Sequence, residues 1–436
     1  MLKVSMAKAI INPEFPCKME GYHEKRFSLF QKDEHGEVLD PMRTAYGARD
    51  NLLLDTIYIE AENGKGLVIH IPDIIMIEQS FGDRAKAALS KHFGMDENQF
   101  IISCSHTHAS PLVSTGMNED LEPNQEYLEL LIEKMIENTA YCLSHKKEAE
   151  VTWDSHKIEG FYCSRQGLDV EYFDKIESLF FTNEEGFGVA KLLNMACHPT
   201  VLDNKNLLVS NDFFGVIRRY LQEIDGVPVA IANGEGGDTS TRLTKRAGDW
   251  EETVRIGEGI AKQIVKENKP QKLEFLDVKI TEVPFTIDYV PSENEYLLHK
   301  KVELEEKLQN LDPASQEAIL ISACFLVDVN EKLGLDRIQY DLSSFIYDFG
   351  SFRLVTFPGE IDTQLAKKLR NADDKPTFVM AYTNGFYYYA VNKAEYGSNH
   401  ESFNSRFPYG GADEFIEKII ASFSKHIVEP ETSLLK

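Results

Sequence analysis

The chain has 436 residues, 42% of them apolar, enough to bury a large core. Its 46 basic residues face 71 acidic ones, a net charge of −25, and such a surface repels phosphate backbones and anionic head groups, which argues against nucleic acid as a partner. No window approaches the roughly 20 apolar residues that span a bilayer, and the opening MLKVSMAKAI lacks the basic start and apolar stretch of a secretory signal, so a cytoplasmic chain is expected.

Short apolar, β-branched runs alternate with amphipathic helical patterns, which predicts an α/β fold of mixed sheets with flanking helices. Leu67 to Ile71 and Gln99 to Ser103 read as strands, and Gln125 to Leu143 as a helix with Leu128, Leu131, Ile132, Met135 and Ile136 on one face. Leu179 to Thr182 and Val189 to Met195 form a predicted strand pair across the turn-prone 183–186 stretch. Asn211–Asp212 offers an N-cap for a helix through Tyr220, followed by a buried strand at Pro228 to Ala232 and a helix at Glu251 to Val265.

The texture changes after Lys272. Ser292-x-x-Glu295 is a capping-box pattern that starts a helix, and Asp312–Pro313 ends it and starts another, reaching about Lys332. This pair, about 291–332, reads as a helical insertion and the place to look for a lid or a subunit contact; the oligomeric state is not written in the sequence. Strands resume at Ile338 to Ile346 and Phe352 to Phe357. With no repeat and no Pro/Ser-rich linker, residues 1–436 are expected to form one catalytic unit. The six cysteines (Cys17, Cys104, Cys142, Cys163, Cys197 and Cys324) are scattered without a CxxC pair, as expected of free buried thiols.

Five segments carry chemistry. Ile101-Ile-Ser-Cys-Ser-His106-Thr-His108 runs an apolar strand into a His-x-His step, which a strand's period of two projects onto one face. By itself the step reads equally as a metal pair or as structural histidines. His198, in Ala-Cys-His-Pro-Thr, ends another apolar strand, where a hydrogen-bonded structural role is the commoner one. Ile231-Ala-Asn-Gly-Glu-Gly-Gly-Asp-Thr-Ser240 follows a buried strand with three glycines, a tight turn or a nest of backbone amides. Phe357-Pro-Gly-Glu360 and Asn384-Gly-Phe-Tyr-Tyr-Tyr389 complete the set, each with a bland alternative as a helix-start acid or a packed aromatic run.

In this order and at these spacings the five segments resemble the motifs of the neutral/alkaline, non-lysosomal ceramidases, from about Ala7 to about Gly410. Gly21–Tyr22, Arg165 and the stretch His400 to Phe407 are weaker matches. The resemblance implies a zinc-dependent amidohydrolase acting on a linear amide, with Zn2+ held by His106, His198, Glu360 and Tyr389. Tyr387 and Tyr388 stand beside the last of these, so a slip of one residue would exchange them. It also implies His108 as the proton-handling residue, Arg165 near the reacting group and Ser240 close to the centre, where attack by metal-bound water leaves the serine without a required role.

The chain departs from the family in lacking the secretion signal and the additional C-terminal β domain, and in carrying a strongly acidic surface. A tyrosine of the family site is replaced around His400. These departures direct the expectation toward a small N-acyl compound rather than ceramide. Two alternatives stand beside it: a zinc-dependent ester or phosphoester hydrolase, and a non-catalytic binding protein that keeps the fold. The same ligand set would also accept other divalent ions.

Overall fold

The computed structural model describes residues 1–22, 43–115, 122–265 and 270–423. A nine-stranded sheet is ordered Val229–Asn233, Gly188–Met195, Lys175–Thr182, Lys147–Lys157, Leu2–Ile10, Leu53–Glu60, Gly66–Pro72 and Phe100–Ile102, with Gln271–Leu273 paired to Lys147–Lys157 off this path. Both outermost pairs on the path are parallel and those between are antiparallel. A second sheet of four strands runs Phe275–Tyr289, Ile338–Gly350, Arg353–Thr356 and Thr377–Met380, the last pair parallel.

Alternation along the strands builds a layered core. Ile57, Ile69, Leu192, Ala230 and Ala232 face Phe345, Tyr347, Leu354 and Phe378, so the two sheets pack face to face. Their neighbours on the same strands point the other way. Leu193, Met195, Val229 and Ile231 meet Phe213, Ile217, Ile256 and Ile260 from the helices Asp212–Asp225 and Trp250–Ile264. Leu54, Tyr58 and Val68 join Leu128, Leu131 and Met135 of the helix Gln125–Ser144. Beyond the second sheet, Leu342 and Ile346 share a cluster with Leu365, Leu369, Phe415 and Ile419 of the helices Thr363–Arg370 and Gly411–Ala421. Helices therefore cover the outer face of each sheet, as the alternating sequence pattern predicts.

Three local expectations change. Asn211 stands at the N-cap position of the helix after it but makes no side-chain cap bond, and its Nδ2 donates to Asn51 O and Asp73. In the insertion the cap is Asn294, whose side chain accepts from Leu297 N, and Pro291–Glu293 is a short 3-10 turn. The second helix there is broken into Gln316–Leu320, a π-turn at Ile321–Phe325 and Leu326–Leu333. Leu304, Ile321 and Val329 of this insertion form a small core with Phe403, so the insertion seats the short helix His400–Asn404. Cys17, Cys104, Cys142, Cys163 and Cys197 are free thiols. Among the described residues no helix is long and apolar enough to cross a membrane.

His70, on Gly66–Pro72, is sealed between Thr56 Oγ1 at 2.9 Å and Thr139 Oγ1 at 3.3 Å. Burial pulls its pKa from 6.5 down to about 3. The unfolded chain takes up a proton near pH 6.5 that the folded chain refuses, so this stabilisation is full above pH 6.5 and is lost as pH falls toward 3. His70→Gln is expected to flatten the fall of stability between about pH 6 and 4 by up to about 1.4 kcal/mol per pH unit. Denaturant midpoints of both proteins across that range measure it, and parallel slopes would remove His70 as a source of acid sensitivity.

Candidate metal centre

Val229–Asn233 and Phe100–Ile102 lie at opposite ends of the sheet path, yet the loops leaving them meet. Asn233 Nδ2 donates to Ser105 O at 3.0 Å and to Cys197 O at 3.1 Å. The chain leaving Thr377–Met380 passes between them, with Ala381 N on Asn233 O, Cys104 N on Tyr382 O and Asn384 N on Ile102 O at 2.8 to 3.1 Å. Four non-glycine residues here are left-handed: His106 (φ 66°), Tyr382 (54°), Asn384 (61°) and Tyr388 (47°). Such backbone costs of order 1 kcal/mol or more per residue and persists where the surroundings over-determine it.

His106 and His198 are buried and oriented alike. The Nδ1 of His106 lies 2.8 Å from Ile75 O; that of His198 lies 2.6 Å from Gly236 O and 3.2 Å from Thr239 O. Donation to these carbonyls fixes the tautomer and leaves each Nε2 with a lone pair, the usual arrangement behind a metal-bound histidine. The glycine-rich turn thus presents carbonyls to an imidazole rather than a nest of amides to an anion. Arg370 clamps this turn through both carboxylate oxygens of Glu235, at 2.7 and 2.9 Å.

Glu360 Oε2 lies 2.9 Å from His198 Nε2 and 3.7 Å from His106 Nε2. Neither His198 Nε2 nor Glu360 Oε2 has an aligned hydrogen bond, although both are buried. Burial holds His106 at about 3 and His198 well below the usual imidazole range, and it raises Glu360, partly offset by His106 and Arg165. Two imidazole nitrogens and a carboxylate oxygen converging in this way are groups that could hold a divalent cation.

His108 also belongs to the cluster, since one nitrogen each from His106, His108 and His198 lie within 4.8 Å of one another. Its surroundings differ. Its Nε2 stands 3.3 Å from His106 Nε2, and its buried Nδ1 has no hydrogen-bond partner among the described residues. No carbonyl orients it as one orients His106 and His198, and burial, with His106 and His198 beside it, holds its pKa well below the usual imidazole range. Gly21 and Tyr22 pack against it, the Tyr22 ring edge-on at 5.2 Å.

Glu360 and Tyr389 pair in parallel register on the short strands Glu360–Ile361 and Tyr389–Ala390. Tyr389 hydrogen-bonds Glu360 and lies 3.3 Å from Arg165 Nη1. Of the neighbouring tyrosines, Tyr387 spends its hydroxyl on Arg406 O, and Tyr388 lies under the Arg406 guanidinium. Arg165 Nη1 also reaches Glu401 Oε1 at 3.2 Å and Gly237 O at 3.3 Å. Ser240 is buried and bridged through its backbone to His198, but its hydroxyl accepts from Arg242 N, and among the described residues no imidazole is bonded to it.

The structure thus brings His106, His108, His198, Glu360, Tyr389 and Arg165 into one site, with Ser240 on its wall. Sequence reasoning missed Tyr382, whose ring stacks on His106 at 4.1 Å, and gave no role to Glu401. Tyr382 carries no periodic or motif signal by itself, and Glu401 lies in the weakly matching stretch His400 to Phe407; both are defined by what they touch.

The structure is similar to a crystal structure of neutral ceramidase from Pseudomonas aeruginosa, with a TM-score of 0.72 and 16% identity, covering 96% of this chain and 73% of that one. It is also similar to a ceramidase complexed with C2, with a TM-score of 0.69 and 15% identity, covering 95% of this chain and 74% of the other. No family model and no curated protein matches the chain. At these identities the likeness is one of architecture: the chain has the neutral ceramidase fold.

Proposed function

We propose that the chain is a zinc-dependent hydrolase that cleaves the carbon–nitrogen bond of a linear N-acyl amide. The observation that carries this reading is the convergence of His106 Nε2, His198 Nε2 and Glu360 Oε2, all buried, beside the hydrogen-bonded pair Arg165 and Tyr389. His106, His198 and Glu360 would hold the zinc, with Tyr389 as the weaker fourth ligand. Zinc there supplies Lewis acidity and a water that ionises near neutral pH. The amide specificity is drawn from the neighbours, which are ceramidases.

The remaining roles belong to the chain's own groups. Arg165, fixed by Glu401, and Tyr389 donate toward the carbonyl oxygen, where charge develops as the bond breaks. His108, beside His106, delivers a proton to the departing amine. Arg165 already serves Glu401 and Tyr389, which leaves little cationic charge for a phosphoryl group.

The test is turnover of N-acyl amides, matching esters and phosphoesters by the zinc-loaded and the chelator-stripped protein. Zinc-dependent release of amine is expected. Faster phosphoester cleavage, or zinc-independent turnover, would replace this reading, and absence of both metal and turnover would favour a binding protein.

The separation of ligand from proton carrier has its own test at Gly21. Its φ is +112°, and a Cβ there would stand 2.7 to 2.8 Å from Cα, Cβ and Cγ of His108. Gly21→Ala is expected to displace His108 and lower kcat by about 10² or more, the usual worth of acid–base catalysis, while zinc content stays unchanged. Loss of zinc together with activity would make His108 a ligand.

A further inference from the structure

One aromatic ring away from the centre lies a cavity of about 560 Å³, a size that suits a small organic ligand. Phe386 lines it, and the same ring lies in near-parallel stacking 6.3 Å from His106 and 6.5 Å from Tyr382. Two further lining residues hold unused donors. Lys86, on the helix Gln79–Phe93, is 6% exposed. Its ammonium has no carboxylate or hydrogen-bond acceptor among the described residues and rests only on the Phe345 ring, at 5.2 Å. Asn384, 8% exposed, accepts from Ile102 N through Oδ1, while its Nδ2 has no acceptor.

These donors share a wall. Gly82 approaches the Asn384 backbone so closely that a Cβ would stand 2.8 Å from its carbonyl oxygen, and Lys86 lies one helical turn further on the same face. The buried Asn384 amide N–H without an acceptor is costly to keep, and the Lys86 ammonium lines the cavity with no acceptor from the described residues, so a ligand there can supply one. Around them stand the carboxylates of Glu78, Asp83, Glu97 and Glu282, and Lys86 is the one cation among the described lining residues. Four carboxylates against one cation disfavour an anion over most of the cavity, so the one place for a carboxylate is at Lys86, whose ammonium the described residues leave without an acceptor.

We infer that this cavity is a subsite for a carboxylate carried by the substrate, which makes the substrates N-acyl amino acids; the inference rests on the amidase reading above. The experiment compares kcat/KM for an N-acyl amino acid and for the N-acyl amine of the same acyl chain that lacks the carboxylate. The wild type is expected to prefer the acid by about 10²-fold. Lys86→Met should collapse that preference, and Lys86→Arg should restore part of it. Equal rates on the two substrates, or a preference that survives Lys86→Met, would overturn the subsite.

Zinc content and circular dichroism of both variants report that the fold is intact. If no amide is hydrolysed, calorimetric binding of the N-acyl amino acid separates the two claims. Binding to wild type and not to Lys86→Met keeps the subsite and removes the amidase reading; no binding to wild type overturns the subsite as well.

Discussion

His198→Ala is expected to take the purified protein from about one zinc per chain to essentially none, and its turnover falls with the metal. Lewis-acid stabilisation is worth several kcal/mol and each 1.4 kcal/mol is tenfold in rate, so the loss is about 10³ or more. The reasoning is geometric. His198 Nε2 lies 2.9 Å from Glu360 Oε2, and its Nδ1 is committed to Gly236 O and Thr239 O, which holds the ring with Nε2 toward the centre. Elemental analysis of wild type and variant, beside amide turnover, decides it. A variant that retains metal and full activity would place the centre elsewhere.

The second large effect falls on Arg165. Burial disfavours its charge, but Tyr389, Glu401 and Glu360 outweigh that and hold its pKa raised. Glu401 is held low in return, burial opposing and Arg165 with His400 prevailing. Arg165→Met leaves two buried carboxylates without their cation, and breaking a buried pair in this way costs about 3–5 kcal/mol of stability. The same change removes a donor at the carbonyl site, worth about 10² to 10³ in kcat. Arg165→Met combined with Glu401→Gln should regain much of the stability and none of the rate. Denaturant midpoints and kcat measured for both proteins separate the roles; recovery of rate in the double variant would reduce Arg165 to a structural counter-ion.

Much of the fold was legible because burial imposes a period. Strands at Leu67 to Ile71 and Val189 to Met195, and the helix from Gln125, lie within a residue or so of their observed bounds, Gly66–Pro72, Gly188–Met195 and Gln125–Ser144. The longest strand, Phe275–Tyr289, was not. Val283, Phe285 and Ile287 alternate as a half-buried strand should, but Pro284 stands among them, and proline lacks the N–H that a central strand donates. The residue is tolerated because this strand is an edge of its sheet, a neighbour relation that no local window contains. The interrupted helix at Gln316–Leu333 is a similar case, since its packing on Phe403 comes from a distant part of the chain.

The sequence by itself determined the donor chemistry: two strand-end histidine steps, a Pro-Gly-Glu acid, an arginine and a run of tyrosines, in an order that resembles one family of zinc amidases. Their types and spacings follow from covalent neighbours, and a strand's period projects them to one end. Which of them meet was decided only by the tertiary structure. Parallel pairing sets Tyr389, and not Tyr387 or Tyr388, opposite Glu360. Carbonyls from Ile75 and Gly236 orient His106 and His198, while His108 is left without one. Tyr382 enters the site on the segment after Thr377–Met380, and Glu401 on the short helix His400–Asn404. Hydrogen bonding and burial between segments hundreds of residues apart act through space, and a linear pattern holds no record of that distance.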